Sequence, residues 1–356
     1  MRKVLVVSDT DGDKIAQRNV DDSEWSIVYS NAGVTLLDVV SGPTSLANTL
    51  VTDTAAPGFL RSSGSGWRSI AATDGIQPQC AIDEDGNLYA ISTGGTIPIR
   101  KSSNYGASWE ILVPSLLAGS SSSYVSVPWA GDGFVWWFEY GTYGAGDGTE
   151  FVLRRADYDG TNLQAYYFGT NIPHAGAISW PGLFVGSYGI QRLIVYASYV
   201  AATSPYLLID FSTPSSVTFS EQTIPGSPDP TLAGSAIMTM ILPSTSVFIA
   251  SFGWFATGNF EIWRSVNSGV TWGQVFTDTT IAATNGTRLM LSAYQYDNHA
   301  KLWTYGTRLP YIYYSSDTGA TWTRESTPFA ANNGQHWGGM AIANANRPRS
   351  HAHIIS

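Results

Sequence analysis

Ser102-Ser103-Asn104-Tyr105-Gly106-Ala107-Ser108-Trp109 recurs as Ser265-Val266-Asn267-Ser268-Gly269-Val270-Thr271-Trp272 and again as Ser315-Ser316-Asp317-Thr318-Gly319-Ala320-Thr321-Trp322. All three fit Ser-x-(Asp/Asn)-x-Gly-x-(Ser/Thr)-Trp. Each follows a short strand-like run: Ile99-Arg100-Lys101, Ile262-Trp263-Arg264 and Ile312-Tyr313-Tyr314. The motif has the chemistry of a hairpin turn that caps itself. An Asp or Asn side chain accepts hydrogen bonds from turn amides. The glycine takes a backbone conformation that a Cβ would oppose. The Trp opens the next strand and packs its ring under the turn.

Weaker copies fill the intervals. Ser212-Thr213-Pro214-Ser215-Ser216-Val217-Thr218-Phe219 keeps the serine, the threonine and a terminal aromatic. Ala156-Asp157-Tyr158-Asp159-Gly160-Thr161-Asn162-Leu163 keeps the glycine and shifts the carboxylate. Shorter versions end at Trp67 and Trp25. The motif ends at Trp25, Trp67, Trp109, Leu163, Phe219, Trp272 and Trp322 stand about 42 to 56 residues apart. The residues after Trp322 and before Trp25 make up one more unit, which gives seven, one of them split between the two ends of the chain.

The three full motifs resemble the Asp-box, or BNR, repeat of sialidase-like proteins. The resemblance implies an all-β fold, a seven-bladed β-propeller with Asp-box turns. Its ring would be closed by pairing of N- and C-terminal strands, which leaves no open sheet edge. Alternation and turn residues then divide the third unit into four strands, Gln79–Asp83, Leu88–Ser92, Pro98–Ser102 and Trp109–Val113. The first blade takes Val4–Ser8, Ile15–Asn19 and Ser26–Ser30, completed from Gly339–Ala343 and Ser350–Ile355. Residues 1–356 are thus expected to form one propeller domain, with the first blade shared between about 1–30 and 338–356.

Composition agrees with short strands and tight turns. Charged residues are only 13% of the chain, matched by 13% aromatics, and there are 36 glycines, a mixture that suits amphipathic helices poorly. The net charge of −9 would repel phosphates, so no nucleic-acid partner is expected. A lone cysteine, Cys80, forms no intrachain disulfide and reads as a buried strand residue. No apolar run is long enough to span a membrane as a helix. The opening run Val4–Val7 is too short for a signal peptide, so synthesis in the cytoplasm is expected. Incorporation into a virus particle would then provide a route outward. The low charge and the Gly/Ser/Thr/Tyr-rich loops look like those of bacteriophage virion proteins.

The later units are longer, and much of the excess lies between their second and third strands. It comprises Tyr140–Glu150 in the fourth unit, Tyr199–Tyr206 in the fifth and Phe252–Asn259 in the sixth. Strand order puts these loops on the face opposite the motif turns, which in sialidase-like families holds the binding site. They carry Tyr140, Tyr143, Asp147, Glu150, Tyr199, Trp254 and Phe255, the candidate ligand-binding residues. Aromatic rings beside carboxylates suit sugars, stacking on the pyranose while polar groups catch hydroxyls. The expected role is recognition of a glycan or a protein partner, as a non-catalytic or structural module.

Catalysis is the alternative. A glycoside hydrolase needs two carboxylates flanking a cleft, and Asp147, Glu150 and Glu261 are the pool near the added loops. A sialidase would also need three converging arginines. The family's Arg-Ile-Pro opening is absent, and Arg61, Arg100, Arg154, Arg155 and Arg264 all stand just before a turn motif, a recurrence that points to blade packing or a surface role. Arg192, Arg288 and Arg308 remain. Asp9-Thr10-Asp11-Gly12-Asp13 resembles the start of a calcium loop, with Asp9, Asp11 and Asp13 as ligands, but no distal glutamate follows; no other cofactor is expected. Asp83-Glu84-Asp85-Gly86-Asn87 reads as a turn. His351-x-His353 would put two imidazoles on one strand face, without a further ligand at zinc spacing.

Overall fold

The fold was examined in a computed structural model. It describes residues 4–9, 14–19, 22–30, 36–41, 49–53, 58–62, 67–71, 76–83, 85–92, 99–113, 124–125, 128–131, 133–142 and 149–167. In the second half it describes 183–188, 192–197, 204–210, 218–224, 237–241, 243–244, 246–253, 260–278, 289–296, 299–306, 311–329, 340–343, 346–351 and 353–355.

Among the described residues there is no helix, and the strands form antiparallel sheets in two compact units. One unit comprises residues 1–172 and 337–345 and holds four sheets. The first sheet joins Val4–Asp9, Lys14–Asn19 and Ser26–Ser30 to Met340–Ala343, which pairs with Val4–Val7. The second is Leu36–Ser41, Thr49–Asp53, Gly58–Ser62 and Trp67–Ala71. The third is Ile76–Ile82, Leu88–Ser92, Ile99–Ser102 and Glu110–Val113. In the fourth, Phe134–Thr142, Thr149–Asp157 and Gln164–Tyr167 follow two short strands, Tyr124–Val125 and Trp129–Gly131, that both pair with Phe134–Thr142.

The other unit comprises residues 173–336 and 346–356 and holds three sheets. The fifth is Leu183–Tyr188, Arg192–Ala197, Ser204–Asp210 and Thr218–Ile224. The sixth is Ile237–Ile241, Phe248–Gly253, Phe260–Ser265 and Gly273–Asp278. The seventh is Leu289–Tyr296, His299–Gly306, Tyr311–Ser315 and Thr323–Ser326. The segment 346–355 departs from expectation. Met340–Ala343 completes the first sheet as read from sequence, but Asn346–His351 pairs with Leu289–Tyr296 and His353–Ile355 pairs with Leu183–Tyr188. Strand character is a local property, whereas the choice of partner is not.

Sequential strands are neighbours within each sheet, so each sheet is a meander. Inside the first unit, Val4–Asp9 lies beside Leu36–Ser41, Leu36–Ser41 beside Ile76–Ile82, and Ile76–Ile82 beside Trp129–Gly131. Inside the second, Leu183–Tyr188 lies beside Ile237–Ile241, which lies beside Leu289–Tyr296. Sheets therefore stack face to face, and a middle strand is buried on both sides. In Phe134–Thr142, consecutive residues Val135, Trp136 and Trp137 are all buried. Val135, Trp137 and Ala156 of the fourth sheet share a cluster with Ala81, Tyr89, Ile91, Ile99 and Val113 of the third. Ile249 and Ile262 of the sixth sheet likewise meet Leu302, Tyr313 and Trp322 of the seventh. Full burial of one such apolar side chain contributes about 1.5–3 kcal/mol. Cys80 is buried, as its setting implied.

Candidate functional site

Each meander has two ends, one carrying the turns between its third and fourth strands and the other the hairpins between its second and third. At one end lie the motif turns, which spend their polar groups on themselves. The Ser102, Ser265 and Ser315 hydroxyls accept from the amides of Gly106, Gly269 and Gly319 at 2.8, 2.9 and 2.7 Å. The Oδ1 atoms of Asn104, Asn267 and Asp317 each accept from the amide four residues on, at 2.9 Å. The indoles of Trp109, Trp272 and Trp322 donate to the carbonyls of Gly106, Gly269 and Gly319 at 3.1, 3.0 and 3.2 Å. At Asp317, partial burial pushes the carboxyl up. Hydrogen bonds from the Thr321 hydroxyl and amide, the Ser315 hydroxyl and the Ala320 amide outweigh it and bring the pKa down to about 2.

The fourth-sheet turn, with its shifted carboxylate, reaches the same end by other bonds. Asp159 accepts from the Thr161 amide and hydroxyl, and Asn162 donates to Asp157 at 2.7 Å. The Asp83 turn is equally saturated. Its carboxylate accepts from the amides of Asp85 and Asn87, the Asn87 side chain and the Tyr89 hydroxyl. Burial and that neighbouring carboxylate push the Tyr89 phenol up, so it stays a donor.

These turns also fasten neighbouring sheets. Lys101, just before the third-sheet turn, donates to the Tyr158 carbonyl in the fourth-sheet turn at 2.9 Å. Arg264, at the same repeat position in the sixth sheet, donates to the Thr318 carbonyl in the seventh, also at 2.9 Å. Three other arginines before turns bond or pack within their own sheets. Arg155 lies over Phe134 and Trp136, and Arg154 pairs with Glu139 at 3.0 Å. Arg18 lies over Trp25 and donates to the Asp22 carbonyl. Sequence reasoning passed over Lys101 and Arg18, although both precede a turn. Arg192 opens a fifth-sheet strand; Arg288 and Arg308 lie outside the described residues.

The opposite ends carry the hairpins between second and third strands. In the fourth sheet, pairing runs from Phe134 with Asp157, at the turn, to Thr142 with Thr149 at the far end. In the sixth it runs from Phe248 with Ser265 to Gly253 with Phe260. The added loops are therefore shorter than the sequence implied. Tyr140–Thr142, Thr149, Glu150, Phe252, Gly253 and Ser204–Tyr206 are paired strand residues, because backbone pairing continues through glycine and threonine where the apolar alternation stops. Tyr140 and Glu150 stand one register step apart at the hairpin end of the fourth sheet. Their side chains, and Tyr143, Asp147, Tyr199, Trp254 and Phe255 altogether, lie outside the described residues.

Among the three expected carboxylates, only the Glu261 side chain is described. It is half-buried near the hairpin end of the sixth sheet and accepts from the Trp263 indole at 3.0 Å. A matching pair escaped the sequence reading. Glu139, fully buried in the fourth sheet, accepts from the Trp137 indole at 2.8 Å and pairs with Arg154. Residues two apart in a strand share a face, so a Trp and a Glu at that spacing were the available signal. Asp9 closes its strand opposite Lys14, while Asp11 and Asp13 lie outside the described residues. Among the described residues, no three His, Cys, Asp or Glu side chains gather as metal ligands. His351 and His353 fall on different strands paired to different sheets, not on one strand face.

No family model matches the sequence, and no curated protein does either. Solved structures do match. A protein of unknown function from Desulfotomaculum acetoxidans is similar over 97% of this chain and 100% of that one, with TM-score 0.57 and 14% identity. An oligogalacturonate lyase in complex with manganese is similar over 93% of this chain and 89% of that one, with TM-score 0.58 and 10% identity. YCF48 from Cyanidioschyzon merolae is similar over 86% and 88%, with TM-score 0.51 and 14% identity. Identities this low carry no function across, and what they show is that the chain has the fold of β-propeller-type proteins.

Proposed function

We propose that this chain is a non-catalytic recognition module, a seven-bladed propeller with Asp-box turns, binding a glycan or a protein partner through the hairpin ends of its later blades. The ring would close through the first sheet, which takes strands from both ends of the chain. The observation that carries the reading is the saturation of the turn ends. Turn-end hydroxyls, carboxylates and indoles already spend their hydrogen bonds within their own turns, mostly on main-chain amides and carbonyls. The hairpin ends are where the sequence gathers Tyr140, Tyr143, Asp147, Glu150, Tyr199, Trp254 and Phe255. Rings and carboxylates at that end supply the stacking and hydroxyl capture that sugar binding uses. Placement on a bacteriophage particle, as a tail or head appendage, would put such a face against a host surface.

A glycoside hydrolase is the second reading, favoured by one observation: Glu261 is held at a hairpin end by an indole, and a fixed carboxylate is what catalysis needs. Asp147 and Glu150 would be its partners. A glycan-array screen on purified protein, followed by a product assay on every hit, separates the readings. Binding without turnover supports recognition. Turnover establishes the hydrolase and moves attention to the three carboxylates. Silence across the array rejects glycan binding and leaves a protein partner.

A further inference from the structure

Inside the second unit, residues 346–355 add one strand to each of two sheets. His353, Ile354 and Ile355 pair with Val185, Phe184 and Leu183. Asn346, Pro348, Ser350 and His351 pair with Gln295, Tyr294, Ala293 and Ser292. Both additions fall on the first strand of a sheet, the edge that otherwise presents a row of free amides and carbonyls.

Their pairing is poorer than that of the sheets they join. Leu183–Tyr188 makes six regular pairs with Arg192–Ala197 but three with 353–355. Leu289–Tyr296 makes eight regular pairs with His299–Gly306, whereas its four pairs with 346–351 are broken by two register shifts. Pro348, opposite Tyr294, has no amide to donate. Among the described residues, each added strand stands last in its row and is paired on one side only. The segment also divides itself between two sheets, with one residue between its strands, so neither ladder can lengthen toward the other. Short, irregular, one-sided ladders open at lower free energy than the sheets beneath them.

We infer that the first-strand edges at Leu183–Val185 and Ser292–Gln295 are strand-accepting sites that residues 346–355 hold reversibly in cis, and that the same segment supplied in trans, as from a second copy of the chain, can take their place. Recognition would be by main-chain pairing, as in β-strand addition, and exchange between copies is a low-cost route to association. The cis segment competes at an effective concentration of order millimolar. Binding in trans therefore rises when the cis ladder is weakened.

Two measurements on the full chain test this. In native-state hydrogen exchange, amides of 346–351 and 353–355 are expected to exchange at least about tenfold faster than those of Leu193–Val195 and Leu302–Tyr305. Equal protection would make the segment an integral part of the sheets and overturn the inference. In the second, a labelled peptide of sequence 346–356 is titrated into the unchanged chain and into Ile354→Pro, which removes an amide opposite Phe184. The variant is expected to bind at least about tenfold tighter than the unchanged chain, and a scrambled peptide to bind neither. Equal affinities for both chains, or equal binding of the scrambled peptide, would overturn it. If the proline variant fails to fold, the exchange measurement still decides.

Discussion

Arg264 reaches out of its own sheet to hold the carbonyl of Thr318 in the next, Nε to oxygen 2.9 Å. The bond joins the strand before one turn to the backbone of the following turn, so the turn motifs act between sheets as well as within them. Arg264→Ala should cost about 1–3 kcal/mol, since a charged donor is lost and a carbonyl is left short of a partner. Arg264→Lys should recover more than half of that, because Lys101 makes the equivalent bond with Nζ. Thermal midpoints of the three proteins check both statements.

Three glycines rank by what a methyl group would meet. At Gly160 a Cβ would lie 2.4 Å from the Leu112 carbonyl oxygen, which is backbone and cannot swing aside. At Gly319 it would lie 2.3 Å from Ile249 Cδ1, the far end of a side chain that can turn. Gly133 has open space and only its φ of +88° to oppose substitution. Alanine should therefore cost about 3 kcal/mol or more at Gly160, about 2 at Gly319 and about 1 at Gly133. Denaturant titration of the three variants tests the order; Gly133→Ala as the worst would contradict it.

Thr318 has φ 57°, a left-handed conformation that a β-branched residue adopts at a cost. Asparagine tolerates it. Thr318→Asn should raise stability by about 0.5–1 kcal/mol while leaving the bond from Arg264 intact, since that bond uses the main chain. A lower melting temperature would show that the threonine side chain does something else.

Acid should act on the seventh-sheet turn. The Asp317 carboxyl sits at about 2 in the folded chain against an ordinary value of 3.8, so the folded state holds its proton less tightly than the unfolded state. Its stabilising contribution is complete above about pH 4 and is lost as pH falls through about 2. Asp317→Asn should be nearly neutral at pH 7, because Asn104 and Asn267 make the same Oδ1 bonds, and should flatten the stability profile between pH 4 and 2. Melting curves across that range are the check, and an unchanged slope would contradict it.

The recognition reading makes its own claim about Trp254. Trp254→Ala should weaken binding of any glycan hit at least about tenfold while shifting the melting temperature by less than about 2 °C. A large loss of stability with unchanged affinity would mark the ring as core.

Legibility followed the range of the interactions. The turn motifs could be read because their letters perform local chemistry, four residues apart at most. The strands of the third sheet could be placed for the same reason. Tyr140 and Glu150 were misread as loop because Gly141, Gly144 and Gly146 interrupt the apolar alternation, though main-chain pairing runs on through Gly141. Glu139 was overlooked because a carboxylate in an aromatic run draws no attention until its indole and guanidinium partners are known. The destination of residues 346–355 was beyond local reading altogether, since their partners lie about 50 to 170 residues away in sequence.

The acceptors of Lys101 and Arg264 are main-chain carbonyls, one belonging to a tyrosine and the other to a threonine. Such a joint is indifferent to the letters of the turn it grips. The fourth-sheet turn shows the result: it lacks the serine and the tryptophan of the full motif, yet its Tyr158 carbonyl is gripped as the Thr318 carbonyl is. A turn without the motif's serine and tryptophan can thus still carry the clasp between sheets. Counting motif matches then undercounts the sheets that share it.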